Sequence, residues 1–431
     1  MQHSSPDMVK QSLLSVIDSL SDYRNDFLVN PASDFTRVRK ISFQQTLIFP
    51  MVASSDNVTT ELLDFFDENN LPSPSAMIQR RNQIKPSAFM ELFYRFTSRI
   101  PVLKTFHGYQ LLACDGSRLN LPYNPGDPET FLQCIQGRKG INQIHLNSLY
   151  DLLNDSFVDA ELQSIHQMNE KAAFCQLLGR HKGSKTIYIA DRGYASFNNF
   201  AYCIHHAKLF LIRLPETFAK SLCTTDDEWL VNDYEDVLFT LHIGRKRKKE
   251  FLQLDNYHCI PKKGHYDYIQ AGSDGIDRLE LRIIKFPLPG GTFEYLITNL
   301  PRYGFSSQII RELYRLRWQV ETAFRHLKYA GNMIHIHSLK KDFLLQEIYA
   351  KLTMYNFSSF IATCVSRKVP AACKYEYVVN HSQLQKICLR YLRGKVQNVL
   401  DLISRMMIPV RPGRRFERNL RRQSADTLNY R

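Results

Sequence analysis

Two aspartates in the chain each follow a short apolar run and precede a loop-like sequence. Asp115 follows the run at residues 109–114, and Asp191 follows the run at residues 186–190. Both runs have the composition of strands, so the two carboxylates are expected at the ends of adjacent strands, on one side of a sheet. Hard divalent cations such as Mg²⁺ bind carboxylate oxygens in that arrangement. The alternative is that each aspartate only caps a turn, which is common where strands end.

A third carboxylate lies in a predicted helix at residues 307–329, where polar residues recur at helical spacing. Four of them are separated by three, four and seven positions and share one stripe: Tyr314, Arg317, Glu321 and Lys328. An adjacent apolar stripe is expected to pack on the sheet: Leu313, Leu316, Val320, Ala323 and Leu327. Glu321 would then join the two aspartates in a cluster of three acids. A solvent-exposed pair of Arg317 and Glu321 is the alternative.

This set of residues resembles the signatures of the DDE transposases of bacterial insertion sequences. The pattern Tyr-x2-Arg-x3-Glu-x6-Lys follows Asp-Gly-Ser at 115–117 and Asp-Arg-Gly-Tyr at 191–194. Together they look like the large family marked by a Y-R-E-K signature, which includes the cut-and-paste transposases of composite antibiotic-resistance transposons. The resemblance covers about residues 105–360. The spacing of the second and third acids (321 − 191 = 130 residues) also resembles that family, whose members carry a β-rich insertion there.

The resemblance implies an α/β fold, in which a ribonuclease-H-like mixed sheet is flanked by helices. It implies three catalytic, metal-binding acids that hold two Mg²⁺ ions, with Mn²⁺ as the substitute: Asp115, Asp191 and Glu321. It implies three residues that bind the phosphates of the transposon end: Tyr314, Arg317 and Lys328. The partners are then double-stranded DNA, as terminal inverted repeats and as target, and a second copy of the chain in a homodimer on that DNA. The helices after Lys340 are the expected dimer contact.

The composition of the chain changes along its length and divides it into five segments, and the resemblance implies that two of them form a ribonuclease-H-like core. They are 1–105, a helical DNA-binding domain; 106–215, the first part of the ribonuclease-H-like core; 216–300, a β-rich insertion; 301–360, the part of the core with the helix of the third acid; and 361–431, a C-terminal helical region with a basic tail. An aromatic that stacks an extruded base of a hairpinned end, frequent in the family, has no assigned place. Trp229 lies in the insertion, and Trp318 is expected in the core.

The N-terminal segment has the pattern of several short helices. Ser42 is a candidate cap for a helix from residue 43 towards 52, a second helical pattern covers 61–66, and a break at 71–74 precedes a third. The third helix carries a polar cluster: Gln79, Arg80, Arg81 and Asn82. Two short helices, a turn and a polar third helix are typical of a helix-turn-helix, in which Arg80 and Arg81 would contact DNA. An ordinary helical bundle with a polar face is the alternative.

Composition limits the classes of protein that this chain can belong to. With 431 residues, 44% apolar and 23% charged, it is expected to form two or three domains with real cores. The excess of 56 Lys and Arg over 42 Asp and Glu gives a net charge of +14, which favours nucleic acid as a partner. No apolar run is long enough for a membrane span, and no two of the nine cysteines form a C-x-x-C pair. A cytoplasmic, nucleoid-associated bacterial protein is expected.

The predicted activity is metal-dependent cleavage at transposon ends and strand transfer into target DNA, by phosphodiester hydrolysis and transesterification. Two alternatives stay open at this point. One is a nuclease that uses the same three acids without strand transfer. The other is a DNA-binding protein that descends from a transposase and has lost catalysis, against which the intact set of acids argues.

Overall fold

The computed structural model describes residues 5–53, 57–133, 139–222, 235–334, 336–365 and 375–411. They form a large mixed sheet with helices packed on both of its faces, preceded by a group of N-terminal helices. The mixed α/β architecture predicted from the sequence is confirmed at this level. Among these residues, every helix is too short or too polar to cross a membrane.

The N-terminal helices follow the pattern that the sequence predicts. Ser42 caps its helix with a reciprocal capping box, because its side chain accepts from the Gln45 N–H and the Gln45 side chain accepts from the Ser42 N–H. A helix that carries the cluster at 79–82 begins at a proline after the break at 71–74. The helices of this group are α1 (Pro6–Asp22), α2 (Phe43–Val52), α3 (Val58–Phe65), α4 (Pro74–Asn82) and α5 (Pro86–Arg99).

The sheet is built from strands that alternate with helices in its central part. Its strands are β1 (Gln110–Leu121), β2 (Phe131–Leu132), β3 (Ile141–Asp151), β4 (Ser156–Ser164), β5 (Thr186–Ala190), β6 (Leu209–Leu214), β7 (Glu235–Gly244), β8 (Tyr257–Cys259), β9 (Ile276–Leu288) and β10 (Thr292–Thr298). The helices between them are α6 (Glu170–Arg180), α7 (Phe197–His205) and α8 (Glu216–Leu222).

Strand order places β1 and β5 at the centre of the sheet. The order is β2-β3-β1-β5-β6-β10-β9-β7-β8, and β4 also pairs with β3. The pairs β1–β5 and β5–β6 are parallel, whereas β1 pairs with β3 in antiparallel register. Parallel neighbours need crossover connections, which α6 and α7 provide on one face. Ligand sites in such sheets lie beyond the carboxyl ends of the parallel strands, here the ends of β5 and of the parallel part of β1.

The residues expected to form a β-rich insertion continue this same sheet. β10 pairs with β6 in antiparallel register, and β9 and β7 follow outward. Arg282 on β9 is almost fully buried and binds Asp236 of β7 through two hydrogen bonds of 2.6 and 2.8 Å. The same guanidinium donates to the Phe305 carbonyl at 2.7 Å. Arg282 therefore fixes the loop that leads from the outer strands back to the central part of the sheet.

The C-terminal half is helical. Its elements are α9 (Ser307–Leu316), α10 (Trp318–Tyr329), α11 (Lys341–Thr363), β11 (Tyr377–Val378), α12 (His381–Leu392), α13 (Val399–Arg405) and β12 (Ile408–Pro409). From residue 346 to 361 every residue of α11 is buried within the chain. This helix contacts α2, α5, α10 and α12 and is part of the core. The expectation that the helices after Lys340 supply a dimer contact is therefore wrong for α11, since its side chains are occupied inside one chain.

Side chains on alternating positions of the central strands enter two separate cores. Ala113 of β1 and Ile189 of β5 pack with the N-terminal helices, α10 and α11 on one face. Cys114 and Ala190 pack with α6 and α7 on the opposite face. This alternation determines the face of the sheet on which each side chain near the strand ends lies.

The first strand continues past the point at which the sequence predicts its end. β1 runs to Leu121, so Asp115 lies within the strand and not at its end. The parallel pairing with β5 stops at Cys114 and Ala190, but the antiparallel pairing with β3 continues to the end of β1. A non-local partner therefore extends the strand through Asp-Gly-Ser, which has poor strand propensity of its own.

Gly116 generates a stability prediction, because a Cβ there would collide with the buried ring of His145 and lie 3.0 Å from the Asn147 Oδ1. We expect Gly116→Ala to lower the free energy of unfolding by about 1–3 kcal/mol, the usual range for overpacking. The matched control is Gly126→Ala, whose Cβ would meet its nearest atom at 3.4 Å. Denaturant unfolding of both variants is the measurement, and equal unfolding midpoints would show that His145 moves aside freely.

Candidate active site

The register of the central strands brings Asp115 and Asp191 side by side. Cys114 pairs with Ala190, and each aspartate is the next residue along the chain. Because side chains alternate, both carboxylates lie on the face of the sheet that packs against α10 and α11. The prediction that these two acids converge is consistent with this geometry, although only Asp191 follows the end of a strand.

The Asp115 carboxylate is largely buried, and its burial and the charges of the other two acids raise its pKa. Its Oδ1 accepts a hydrogen bond of 2.8 Å from the Gly116 N–H, and its Oδ2 lies 3.7 Å from the Arg317 Nη1. Burial raises the pKa of Asp115 to about 6, and the charges of Glu321 and Asp191 act in the same direction. The Gly116 N–H and Arg317 oppose this shift. The three acids are therefore close enough to repel one another.

Asp191 holds the loop that follows β5. Its Oδ1 accepts a hydrogen bond of 2.5 Å from the Arg192 N–H, at the start of a single 3₁₀ turn, Arg192–Tyr194. Tyr194 at the end of this turn is buried in the core on the opposite face. The capping role that we considered as an alternative is thus present. It also fixes the position of the carboxylate at the strand end.

The segment predicted as one helix at residues 307–329 is two helices that break at Arg317. The Arg317 N–H bonds to the Tyr314 carbonyl at 3.0 Å, and the Val320 N–H bonds to the Arg317 carbonyl at 3.0 Å, so the chain tightens there. Four residues of the predicted apolar stripe are buried: Leu313, Val320, Ala323 and Leu327. Leu316 is only half-buried, and Phe324, outside the predicted stripe, is buried as well.

Arg317 links two of the three acids from this break. It is only 2% exposed, and its Nη2 lies 2.8 Å from the Glu321 Oε1 while Nη1 faces Asp115. Burial alone would lower the pKa of Arg317, but Tyr314, Glu321 and the two aspartates together raise it. The guanidinium therefore neutralises the carboxylates that surround it. The Glu321 side chain is 42% exposed and stands at the rim of the cluster.

Three buried polar atoms beside this cluster have no hydrogen-bond partner among the described residues: the Tyr314 hydroxyl, the Arg317 Nε and the Ser148 hydroxyl. Burial raises the pKa of Tyr314 far above its usual range. Ser148 pairs directly with Asp115 across β3 and β1, so its side chain lies on the same face. Buried polar atoms without partners are rare and indicate a site for water or ligand. No signal in the sequence marks Ser148, because its place beside Asp115 depends on the register between β3 and β1.

The other predicted DNA-binding residues lie outside the carboxylate cluster. Lys328 lies seven residues beyond Glu321, about 10 Å along the helix. It is partly buried, and burial lowers its pKa. Within the described residues it has no ion-pair partner.

The two arginines of α4 are held by other residues of the chain. Arg80 is 9% exposed and lies 4.3 Å over the Phe35 ring. Arg81 donates to the Gln346 Oε1 of α11 at 3.2 Å, so it is used to fix α4 on the core.

The expectation that Trp318 lies in the core is wrong. Its side chain is 56% exposed, next to the Arg317 guanidinium at 4.8 Å from the ring, so it is not a core residue. The helix break at Arg317 turns this position away from the apolar stripe. Trp229, the other candidate aromatic, lies outside the described residues.

The three acids fit a divalent cation in charge and in chemistry. Carboxylate oxygens are the ligands that Mg²⁺ and Mn²⁺ prefer, and the orphaned Ser148 hydroxyl adds a polar atom beside Asp115. As the side chains stand, the part of the chain that the structure describes holds no set of three acidic, His or Cys groups close enough for a metal ion. The Arg317 guanidinium lies between Asp115 and Glu321. Binding of a metal therefore requires the exposed Glu321 side chain to turn away from Arg317.

Comparisons with known proteins identify the family of the chain. A family model described as "Transposase DDE domain" matches residues 106–357, which is more than half of the chain. The chain is similar to the transposase for insertion sequence element IS1151 of Clostridium perfringens, with 20% identity over 363 residues that cover 75% of each protein. A cryo-EM structure of the piggyBac transposase synaptic complex with hairpin DNA superposes with a TM-score of 0.45 and 10% identity, over 96% of this chain and 87% of that one.

The buried Asp115 generates a prediction for protein kept free of metal by a chelator. Because its folded-state pKa is raised from 3.8 to about 6, the folded state binds more protons than the unfolded state between these values. The contribution of Asp115 to the free energy of unfolding therefore falls as the pH rises through this window and stays low above it. Asp115→Asn cannot ionise and should be more stable than the unchanged protein at pH 7, by up to about 3 kcal/mol.

The measurement is denaturant unfolding of both proteins at a series of pH values between 3.5 and 7, with the chelator present. The stability difference should vanish at the acidic end. Asp18→Asn, at an exposed position of α1, is the matched control. A constant difference across the series would contradict the account of a buried, repelled carboxylate.

Proposed function

The chain belongs to the transposase DDE domain family, and from this premise we propose that it is a transposase that cuts DNA at transposon ends and transfers the strands into target DNA. Transposase function is what the family match and the relative have in common. The observation that carries the finer proposal is the convergence of Asp115, Asp191 and Glu321 around Arg317. The proposal includes a ribonuclease-H-like core, which the antiparallel β3–β1 pair beside parallel β5 and β6 supports.

In this proposal the three acids hold divalent metal ions, which the family generally uses. Two Mg²⁺ ions, with Mn²⁺ as the substitute, would activate the attacking water or 3′-hydroxyl and stabilise the leaving 3′-oxygen in an in-line displacement. Asp115 and Asp191 supply two oxygen ligands from the sheet, already fixed by the Gly116 and Arg192 N–H groups. Glu321 supplies the third from an exposed position at the rim, so its side chain can join the site when the substrate is in place.

Arg317, Tyr314 and Lys328 are proposed to bind the phosphates of the transposon end. Arg317 neutralises the acids when Glu321 is turned towards it, and it keeps one donor, Nε, without a partner. When Glu321 turns away, both Nη2 and Nε of Arg317 can donate to a phosphate, a geometry that suits a guanidinium. The unpartnered Tyr314 hydroxyl lies beside it, and Lys328 offers a point charge farther along α10.

The N-terminal helices are proposed to recognise the transposon end. Gln79 is exposed on α4 and free to contact a base edge. The sequence predicts that Arg80 and Arg81 contact DNA, but we assign them a structural role. Both guanidinium groups bind other residues of the chain, so they hold α4 in place and do not extend to base edges.

The proposal also includes the partners of the chain. We propose that it acts as a homodimer on double-stranded DNA, with no membrane involved, because a dimer lets two ends be cut in concert.

A nuclease with the same acids is the alternative that an experiment must separate. A strand-transfer assay does so, with a labelled pre-cut end, a circular target and Mg²⁺. Joining of the labelled end to the target supports the transposase. Hydrolysis of the target without joined product would support the nuclease, and binding without either would indicate a protein that has lost catalysis.

Substitution of the acids tests their proposed role in catalysis. Asp191→Asn and Glu321→Gln should each lower the cleavage rate in Mg²⁺ by more than the roughly 10–100-fold that loss of an outer-sphere partner costs. Their affinity for end DNA should change little, because that affinity rests on basic groups. The matched control is Glu312→Gln, an exposed glutamate of α9 that binds only Gln308. Normal cleavage by Glu321→Gln would remove this residue from the site.

Lys328 gives a second prediction, which concerns binding alone. Lys328→Ala should weaken end binding and reduce the slope of log affinity against log salt by about 0.9, the value for one phosphate contact on duplex DNA. Lys220→Ala is the control, since Lys220 is exposed on α8 and paired with Glu216. Affinity is measured across a salt series without metal. An unchanged slope would mean that Lys328 contacts no phosphate.

A further inference from the structure

A basic cleft of about 660 Å³ opens in the N-terminal helical region, away from the three acids. The loop at residues 32–41 forms one wall, and α4 with the residues before it forms the other. Among the described residues no acidic side chain lines the cleft, whereas four cationic ones do: Arg37, Arg39, Lys40 and Arg80. Apolar side chains line the rest of the wall: Phe35, Ile41, Leu71 and Pro72. This combination of cations and apolar surface has no part in the proposed catalysis.

The exposed cations of the cleft have no ion-pair partner in the described part of the chain. They are Arg37, Arg39 and Lys40. Burial lowers the pKa of Arg80, and the neighbouring charge of Arg39 lowers it further, while Asp34 opposes the shift. Like charges that converge on a concave surface repel each other, so an anion that enters the cleft relieves this repulsion.

The face of the Phe35 ring gives the cleft a flat, ordered surface. The Arg80 guanidinium lies 4.3 Å from the centre of this ring, and it donates a 3.0 Å hydrogen bond to the Gln83 Oε1. The Phe35 ring is also in edge contact with Phe43 at 5.6 Å. A guanidinium held flat in this way can stack on a planar base. Gln79 and Gln83 line the same cleft and can donate to and accept from the edge of that base.

We propose that this cleft binds one unpaired nucleotide unit, with its phosphate on Arg39 and Lys40 and its base beside Arg80. The inference rests on the proposed function to the extent that the nucleotide belongs to the DNA that the protein acts on. A free mononucleotide has the same chemistry, and the experiment below distinguishes the two sources.

The size of the cleft decides against a duplex as its occupant. Pockets for small ligands have volumes of about 300–1,000 Å³, the range in which this cleft falls. A specific interface with duplex DNA buries roughly 1,000–2,500 Å² of protein surface, which needs an open face. A single nucleotide unit fits the cleft, and the strand on either side of it would pass over the exposed Arg37.

The cleft is joined firmly to the catalytic part of the chain. Arg81, which follows Arg80, contacts Gln346 and the Phe343 carbonyl of α11, each at 3.2 Å. Lys340, just before α11, donates to the Asn82 Oδ1 at 2.7 Å. A nucleotide held in the cleft is therefore held at a fixed position relative to α11, which packs against the helix that carries Glu321.

The test measures binding by the full chain in a chelator, so that no cleavage occurs. The probes are a fluorescent hexamer of thymidylate, a blunt duplex of arbitrary sequence, free dTMP and inorganic phosphate. The double variant Arg39→Ala/Lys40→Ala should bind the hexamer at least tenfold more weakly. Its salt slope should be smaller by about 0.7, the value for one neutralised phosphate on a single strand. Arg24→Ala, an exposed arginine of the same region outside the cleft, should bind like the unchanged protein.

The competing probes decide what the cleft recognises. We expect dTMP to displace the hexamer at lower concentration than phosphate does, because the base adds to the contact. A hexamer that binds more tightly than dTMP identifies a strand as the source, and equal affinity identifies a free mononucleotide. The proposal is overturned if phosphate competes as well as dTMP, if the double variant loses duplex binding as much as hexamer binding, or if it binds the hexamer normally. Cleavage by the unchanged protein in Mg²⁺ is measured separately, so failure of the transposase proposal would be recognised independently.

Discussion

The ion pairs of the buried Arg317 are the interaction on which the site depends. A charged guanidinium that is 2% exposed is stable only when opposite charges and hydrogen bonds compensate for lost hydration. Asp115 and Glu321 provide that compensation, and Arg317 in turn limits the repulsion between the acids. Removal of Arg317 alone would leave the repulsion between the acids uncompensated, whereas neutralisation of Asp115 leaves the closer ion pair of Arg317 with Glu321, at 2.8 Å, in place. Arg317 therefore keeps the three acids together in the absence of metal. When Glu321 turns away from Arg317, the acids can bind a metal ion instead.

The surrounding fold serves this arrangement in several ways. The parallel register of β1 and β5 sets Asp115 and Asp191 next to each other, and the break between α9 and α10 turns Arg317 inward. Behind Asp115, Gly116 leaves room for the His145 ring, which lies 3.2 Å from the Glu170 Oε1. At the far end of the insertion, Arg282 fixes the loop that leads into α9. Each of these contacts joins residues far apart in the chain.

Local signals in the sequence were enough to predict several of these elements. The strand at 186–190 has the predicted bounds, Ser42 caps its helix as predicted, and most of the apolar stripe of α9 and α10 is buried. The errors arise where distant parts of the chain meet. Pairing with β3 carries β1 past Asp115, and Arg317 breaks its helix without a nearby Gly or Pro, because ion pairs hold its side chain inward. The burial of Arg81 against α11 has no signal in the sequence of α4 alone.

The most direct test of the account is an anomalous difference map from crystals grown with the transposon-end DNA and Mn²⁺. The account predicts Mn²⁺ peaks within about 2.5 Å of carboxylate oxygens of Asp115, Asp191 and Glu321. It also predicts that Glu321 has turned away from Arg317, whose guanidinium then contacts a DNA phosphate. Mn²⁺ bound only elsewhere, with Arg317 still between Asp115 and Glu321 in the DNA complex, would contradict the account.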